Sequence, residues 1–191
     1  MPHADILWQY AFRYPLLVLL ALMWTGFLFD RLTFKLFRPI LGIRPRRFLS
    51  LPAMFTAPLL HVDFTHLLSN SIPLALMGFL SGDLLPLPQF FLLLLIATCG
   101  SGLGVWLFGR NAIMLGASGL VFAFFGFLLA YAWWTRDRQA LYYAIAAFVL
   151  YGGLLLSLLK HQPQVSWAAH LWGFLSGIGA AWWIAHHAVL K

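Results

Sequence analysis

An all-α, polytopic membrane fold of six transmembrane helices is what this sequence predicts, and three observations predict it. Of its 191 residues, 62% are apolar and only 9% are charged, with a mean hydropathy of +0.86. A water-soluble domain of this length could not bury that much hydrocarbon. The apolar residues also fall in long unbroken runs, so the backbone satisfies itself within helices rather than in a barrel. At roughly 20 residues per crossing, the chain has room for five or six spans.

The chain reads as a single six-helix core over residues 1–191 with no soluble extra domain. Its start, "MPHADILWQYAFRYP", lacks the basic head and small-residue cleavage site of a signal peptide, so the first apolar run, Tyr14 to Phe29, is expected to stay as a span. Residues 30–65 form a long first loop, "RLTFKLFRPILGIRPRRFLSLPAMF". Its mixture of Arg, Phe, Leu and Pro suits a segment lying partly in the membrane interface. The later spans are expected at His66 to Leu84, Pro88 to Phe108, Ser118 to Trp134, Ala140 to Leu159, and Trp167 to Ala188. Trp133, Trp134, Trp182 and Trp183 stand at span ends as interfacial anchors. In the fifth span, Gly152 and Gly153 either loosen the helix or pack. No internal repeat is visible, which weighs against a transporter.

The charges narrow the chemistry. Twelve basic residues oppose five aspartates and no glutamate, for a net charge of +7. Basic loops on a membrane protein contact lipid phosphates, so the charge carries no nucleic-acid reading. Without glutamate there is no HExxH metalloprotease motif, and an aspartyl mechanism would depend on scattered Asp residues. The single cysteine, Cys99, can form no internal disulfide.

Polar side chains at membrane depth are functional candidates by default, and few are present. They are His66 and Asn70 in "HVDFTHLLSN", Ser118 in "GASG", and His170 in "WAAHLWGFLSG". His66 and Asn70, four apart, share a helix face, as do His170, Gly173 and Gly177. Small residues on facing helices allow close backbone approach, which could bring His170 within reach of Ser118. A serine hydroxyl needs a base to become a nucleophile, and a neutral imidazole is the usual one near pH 7. No Asp lies near enough in sequence to be assigned as a third member. Ser118 stands at an expected helix start, where backbone N–H groups lack intrahelical partners and can donate to an oxyanion, with Asn70 and His66 as further donors. Taken singly, each residue also has a plainer role: a serine between glycines packs helices, a membrane asparagine joins them, and a histidine at a helix end sits in the interface. "GASG" is not the G-x-S-x-G elbow of soluble hydrolases, since residue 120 is Leu.

Together these residues resemble the signature of the rhomboid family of intramembrane serine proteases. The family's His, four residues, His, three residues, Asn is matched by His61, His66 and Asn70; its G-x-S-G by Gly116, Ala117, Ser118 and Gly119; its A-H-x-x-G-x-x-x-G by Ala169, His170, Gly173 and Gly177. The resemblance implies a six-helix rhomboid-like bundle in which Ser118 is the nucleophile and His170 the base. The Ser118 N–H, His66 and Asn70 would surround the oxyanion, with His61, Gly116, Gly119, Gly173 and Gly177 in support. It further implies cleavage of single-span membrane proteins near the membrane face, no metal or cofactor, no nucleic-acid partner, a water-filled cavity at the serine, and residence in a bacterial inner membrane. The chain also resembles the small rhombosortase-like group, which trims C-terminal anchors of secreted bacterial proteins.

Three positions depart from the family pattern. The Trp-Arg pair of the first loop has no counterpart near "SLPAMFT", a tyrosine one turn after the serine is Phe122, and the Gly-rich, Glu-bearing end of the second span is replaced by "MGFLSGDLL", with Asp83 the one acidic residue there. Orientation is a further conflict. A cytoplasmic N-terminus puts Arg13, Arg136, Arg138 and Lys191 inside, against eight basic residues outside, of which six lie in the first loop.

Three other functions stand beside the protease. An inactive rhomboid-like protein that binds membrane clients would lack the serine or histidine, and both are present here. A small transporter or channel would keep its function on Ser118→Ala. A metal site from His61, His66 and His170 is disfavoured by the five-residue spacing of the first two and by the lack of an acidic ligand.

Overall fold

The computed structural model describes residues 15–159 and 167–187, and they form a helical bundle. Helix α1 (Pro15–Leu32) is followed by a short α2 (Arg38–Leu41) and two 3-10 turns, Phe48–Met54 and Ala57–Leu59. Then come α3 (Phe64–Leu84), α4 (Leu87–Phe108), α5 (Ser118–Thr135), α6 (Arg138–Tyr151), α7 (Gly153–Leu159) and α8 (Trp167–His187). Tyr14 and Ala188, expected as span ends, lie outside the described residues.

Local chemistry sets several of these boundaries. Asp63 Oδ1 accepts the His66 N–H at 2.8 Å to start α3, and Asp137 Oδ1 accepts the Ala140 N–H at 2.8 Å to start α6. The α3–α4 turn carries Pro86, and Pro88 lies in the first turn of α4, where a missing N–H leaves no gap. Arg136 ends α5 in the left-handed region, φ 55°, and its guanidinium covers the Trp133 ring at 4.5 Å.

Helix α5 is apolar on every face and occupies the centre of the bundle, with Phe124, Phe125, Phe127 and Leu128 fully enclosed. Its most extensive partner is α8, and α4 lies against α8 on another side. Only glycine allows the α5–α8 approach. A Cβ on Gly173 would strike the Gly119 carbonyl, and one on Gly177 would lie 2.7 Å from the Ala123 carbonyl carbon.

Among the described residues the helices differ in how well they suit a bilayer. Four helices, α1, α3, α4 and α5, are long and apolar enough to cross a bilayer. The expected fifth span, Ala140 to Leu159, is divided: α6 has 14 residues and α7 has 7, and the break falls at Gly152. Gly152 itself has helical angles, φ −56° and ψ −26°, and its N–H donates to the Phe148 carbonyl at 2.7 Å, so α7 follows α6 after that single residue. Helix α8 has 21 residues, long enough to cross, with glycines, tryptophans and histidines among its apolar residues.

The first loop is folded onto the bundle. Ile43 and Met114 exchange backbone hydrogen bonds of 3.1 and 2.8 Å, the Arg46 guanidinium donates to the Gly109 carbonyl at 2.8 Å, and Trp106 Nε1 donates to the Arg47 carbonyl at 3.0 Å. Arg46 thereby occupies carbonyls left open at the end of α4. The loop exposes the apolar Phe34 and Leu49, 92% and 97% exposed, as well as Arg46 and Arg47, a mixture that suits a membrane interface. At the far end of α3, Asp83 Oδ2 accepts from Gln139 Nε2 at 2.6 Å and from the Tyr143 hydroxyl at 2.7 Å, joining α3 to α6.

Candidate active site

The site is built where the segment before α5 meets the head of α3. Gly116 has φ +111°, a left-handed value that disfavours any side chain, and a Cβ there would lie 2.6 Å from His66 Cε1 and 3.5 Å from Asn70 Nδ2. Glycine therefore lets the turn press directly against His66 and Asn70. The Gly116 N–H donates to the Ala57 carbonyl at 2.9 Å, and the Ala117 N–H donates to His61 Nε2 at 3.4 Å. Ala117 then caps α5, its carbonyl accepting from Leu120 and Val121 at 2.9 and 3.1 Å. Ser118 opens the helix, half-buried, with its backbone N–H among the donors that have no partner one turn back.

His170 lies in the first turn of α8, 7% exposed, and its ring stacks on Phe122 with centroids 4.1 Å apart and planes 16° apart. Phe122 stands one turn beyond Ser118 on the same face of α5, and Gly173, one turn beyond His170, packs on Gly119. Side chains on helices lean toward the N-terminus, so the imidazole above Phe122 leans toward the turn that begins with Ser118. The structure thus brings Ser118, His170, His66, Asn70 and Gly116 to one end of the bundle, with Gly119, Gly173 and Gly177 forming the seam beneath them.

Asn70 Nδ2 is buried and has no hydrogen-bond partner among the described residues. A donor left in that state is destabilising, and it is available to an acceptor placed against Gly116. His61 is fully buried, its ring 5.2 Å from that of His66 at 68°. Burial first, and then the positive charge His66 can carry, pull its pKa from 6.5 to about 4, against the opposing pull of the Leu59 backbone and Asp63. His61 is therefore neutral at pH 7, as an acceptor of the Ala117 N–H must be. Among the described residues no group of three His, Cys or Asp side chains could hold a metal ion.

A cavity of about 40 Å3 adjoins Ser118, lined by Met54, Ala57, Ser101, Met114, Gly116 and Ala169 among others, and it is large enough for water. A larger cavity of about 650 Å3 lies at the opposite end of α3, beside Gly78, Asp83 and Phe90. It is remote from Ser118 and His170 and holds no serine or histidine. The parts that sequence reasoning missed come from outside the three motifs. The Ala57 carbonyl holds Gly116, Ser101 fills the space beside Gly119, and Met114 pairs with Ile43. Backbone acceptors leave no signal in residue identity; Ser101, flanked by Gly100 and Gly102, was the one legible hint.

A hydroxyl, an imidazole on a facing helix, and amide donors at a helix head are the groups acyl transfer requires, and they stand here in a multi-pass helical membrane protein. The chain belongs to the rhomboid family, since the family model described as the Rhomboid domain matches residues 49–187. Members of that family are generally intramembrane serine proteases. The chain is 36% identical over 150 residues to the uncharacterized protein Rv1337 of Mycobacterium tuberculosis and equally to Mb1372 of Mycobacterium bovis, covering 74% of this chain and 62% of each relative. It is 33% identical over 135 residues to ML1171 of Mycobacterium leprae, covering 66% of this chain and 53% of that protein. The chain thus spans less than two thirds of the length of these relatives.

Proposed function

We propose that this protein is an intramembrane serine endopeptidase acting through Ser118 and His170. His170 takes the Ser118 proton as the oxygen attacks the scissile carbonyl carbon. The resulting oxyanion is met by the Ser118 N–H, Asn70 and His66. His170 then gives the proton to the leaving amine, and the acyl chain stays on Ser118. Water, deprotonated by His170, attacks the ester carbonyl; the proton returns to Ser118 and the new carboxyl terminus leaves. The substrates on this reading are single-span membrane proteins, opened near the membrane face in a bacterial inner membrane. The observation that supports the reading is the buried Asn70 Nδ2, without a hydrogen-bond partner among the described residues, facing the glycine turn that begins the serine helix.

Intact-mass labelling of the detergent-purified chain with a fluorophosphonate tests it. A single adduct on Ser118, absent from Ser118→Ala and His170→Ala, is expected. A wild-type chain that stays unlabelled while an active rhomboid protease reacts would overturn the proposal in favour of client binding without cleavage.

A further inference from the structure

The end of α1 holds a carboxylate where helix electrostatics oppose one. Asp30 is 2% exposed and lies in the last turn of α1, whose partial charge is negative. It is compensated by Arg38 from α2. Arg38 Nε donates to Oδ1 at 3.0 Å and to Oδ2 at 3.1 Å, while Nη2 donates to Oδ2 at 2.7 Å. The same Nη2 also donates to the carbonyls of His61, at 3.1 Å, and Val62, at 3.4 Å. Arg31 reaches the Val62 carbonyl at 3.2 Å. A planar guanidinium can bridge a carboxylate and a peptide in this way, whereas an ammonium cannot reproduce the fork.

His61 continues the chain of contacts on its other side. Its backbone is held by Arg38, and its ring accepts the Ala117 N–H immediately before Ser118. With the Gly116 N–H on Ala57, two successive amides of the serine turn are tied to the first loop. Those ties set the direction of the next amide, that of Ser118.

We propose that Asp30 and Arg38 are positioning residues for the serine turn, acting through His61 to fix the Gly116–Ser118 backbone. The proposal rests on the protease reading for its effect on rate, but its structural half stands apart from that reading. A pair serving the fold alone would leave the turn unaltered when replaced by well-packed apolar residues, which often match or exceed the stability of a buried ion pair.

The test compares the full chain in detergent as wild type, as the double variant Asp30→Leu with Arg38→Met, and as Arg38→Lys. Amide hydrogen exchange is followed by mass spectrometry on peptides spanning 112–121, and fluorophosphonate inactivation is resolved into a maximal rate and a half-saturating concentration. The double variant should keep its thermal midpoint and exchange about ten-fold faster at the turn. Its maximal inactivation rate should fall by roughly a hundred-fold, as expected for a reacting group displaced by about 1 Å, with half-saturation unchanged. Arg38→Lys, which keeps the charge without the fork, should change in the same direction and less. It decides the matter if the double variant does not fold. Exchange at 112–121 that stays at the wild-type rate in the folded variant would overturn the proposal. An unlabelled wild-type chain would overturn the protease reading instead, with the exchange comparison still deciding the tether.

Discussion

Alanine at Gly177 probes whether the contact between α5 and α8 sets the reactivity of the serine. The added Cβ would meet the Ala123 carbonyl, 2.7 Å from its carbon and 2.9 Å from Ala123 Cα, where ordinary contact begins near 3.4 Å. The obstruction is backbone on both sides, so no side chain can swing away. Clearing the carbon alone takes about 0.7 Å and the carbonyl oxygen is nearer still, so the helices must part by more than about 0.7 Å at this crossing. Gly177 lies two turns beyond His170 on one face of α8, so the separation is passed to the imidazole facing α5. A displacement near 1 Å lowers a rate roughly a hundred-fold, or about 2.7 kcal/mol in the barrier. Overpacking destabilises by about 1–3 kcal/mol, offset by up to about 1 kcal/mol from the better helix propensity of alanine. Gly179→Ala is the control, because no heavy atom lies within 4 Å of a Cβ there. The expected result is a fluorophosphonate labelling rate for Gly177→Ala roughly a hundred-fold below wild type, with Gly179→Ala unchanged. Labelling of Gly177→Ala at the wild-type rate would refute the reasoning, as would an equal loss in Gly179→Ala.

Two further outcomes follow from the buried polar groups. Asn70→Ala should lower the labelling rate by about 10²- to 10³-fold, the loss typical of one oxyanion donor. Its thermal stability should hold or rise, since the Nδ2 it removes is buried without a partner among the described residues; a fall in midpoint with an unchanged rate would mark Asn70 as helix glue instead. His61, neutral in the folded chain with a pKa near 4 against 6.5 unfolded, makes the unfolded state the better proton binder between those values. Stability should therefore be complete above pH 6.5 and decline as pH falls toward 4, by about 3 kcal/mol for this group. Denaturation midpoints measured across that range should flatten in His61→Asn, and an equal slope in that variant would remove His61 as the cause.

The three motifs were legible because their residue types are rare where they stand. A serine, two histidines and an asparagine in an apolar chain draw attention, and the i+3 and i+4 spacing assigns them to helix faces before any packing is known. The glycines at 173 and 177 likewise announced a close helix crossing, and the structure shows which atoms they admit: the carbonyls of Gly119 and Ala123. The fifth span was legible as helix but not in its division, because hydropathy sees only composition. The run from Ala140 to Leu159 is apolar throughout, and the structure divides it into α6 and α7 at Gly152, which itself keeps helical angles, φ −56° and ψ −26°.

By itself, then, the sequence determined the membrane environment, the helical class, the order of the spans and the identity of the candidate nucleophile and base. All of these depend on residue type and on spacing along one helix. The tertiary structure alone decided what holds the serine turn: the Ala57 carbonyl, the His61 ring, and the Arg38 fork between Asp30 and the His61 carbonyl. The physical reason is that the Ala57, His61 and Arg38 contacts each end on a backbone group far away in the chain. Every residue carries a backbone N–H or C=O regardless of its identity, so their pairing leaves no mark in the sequence.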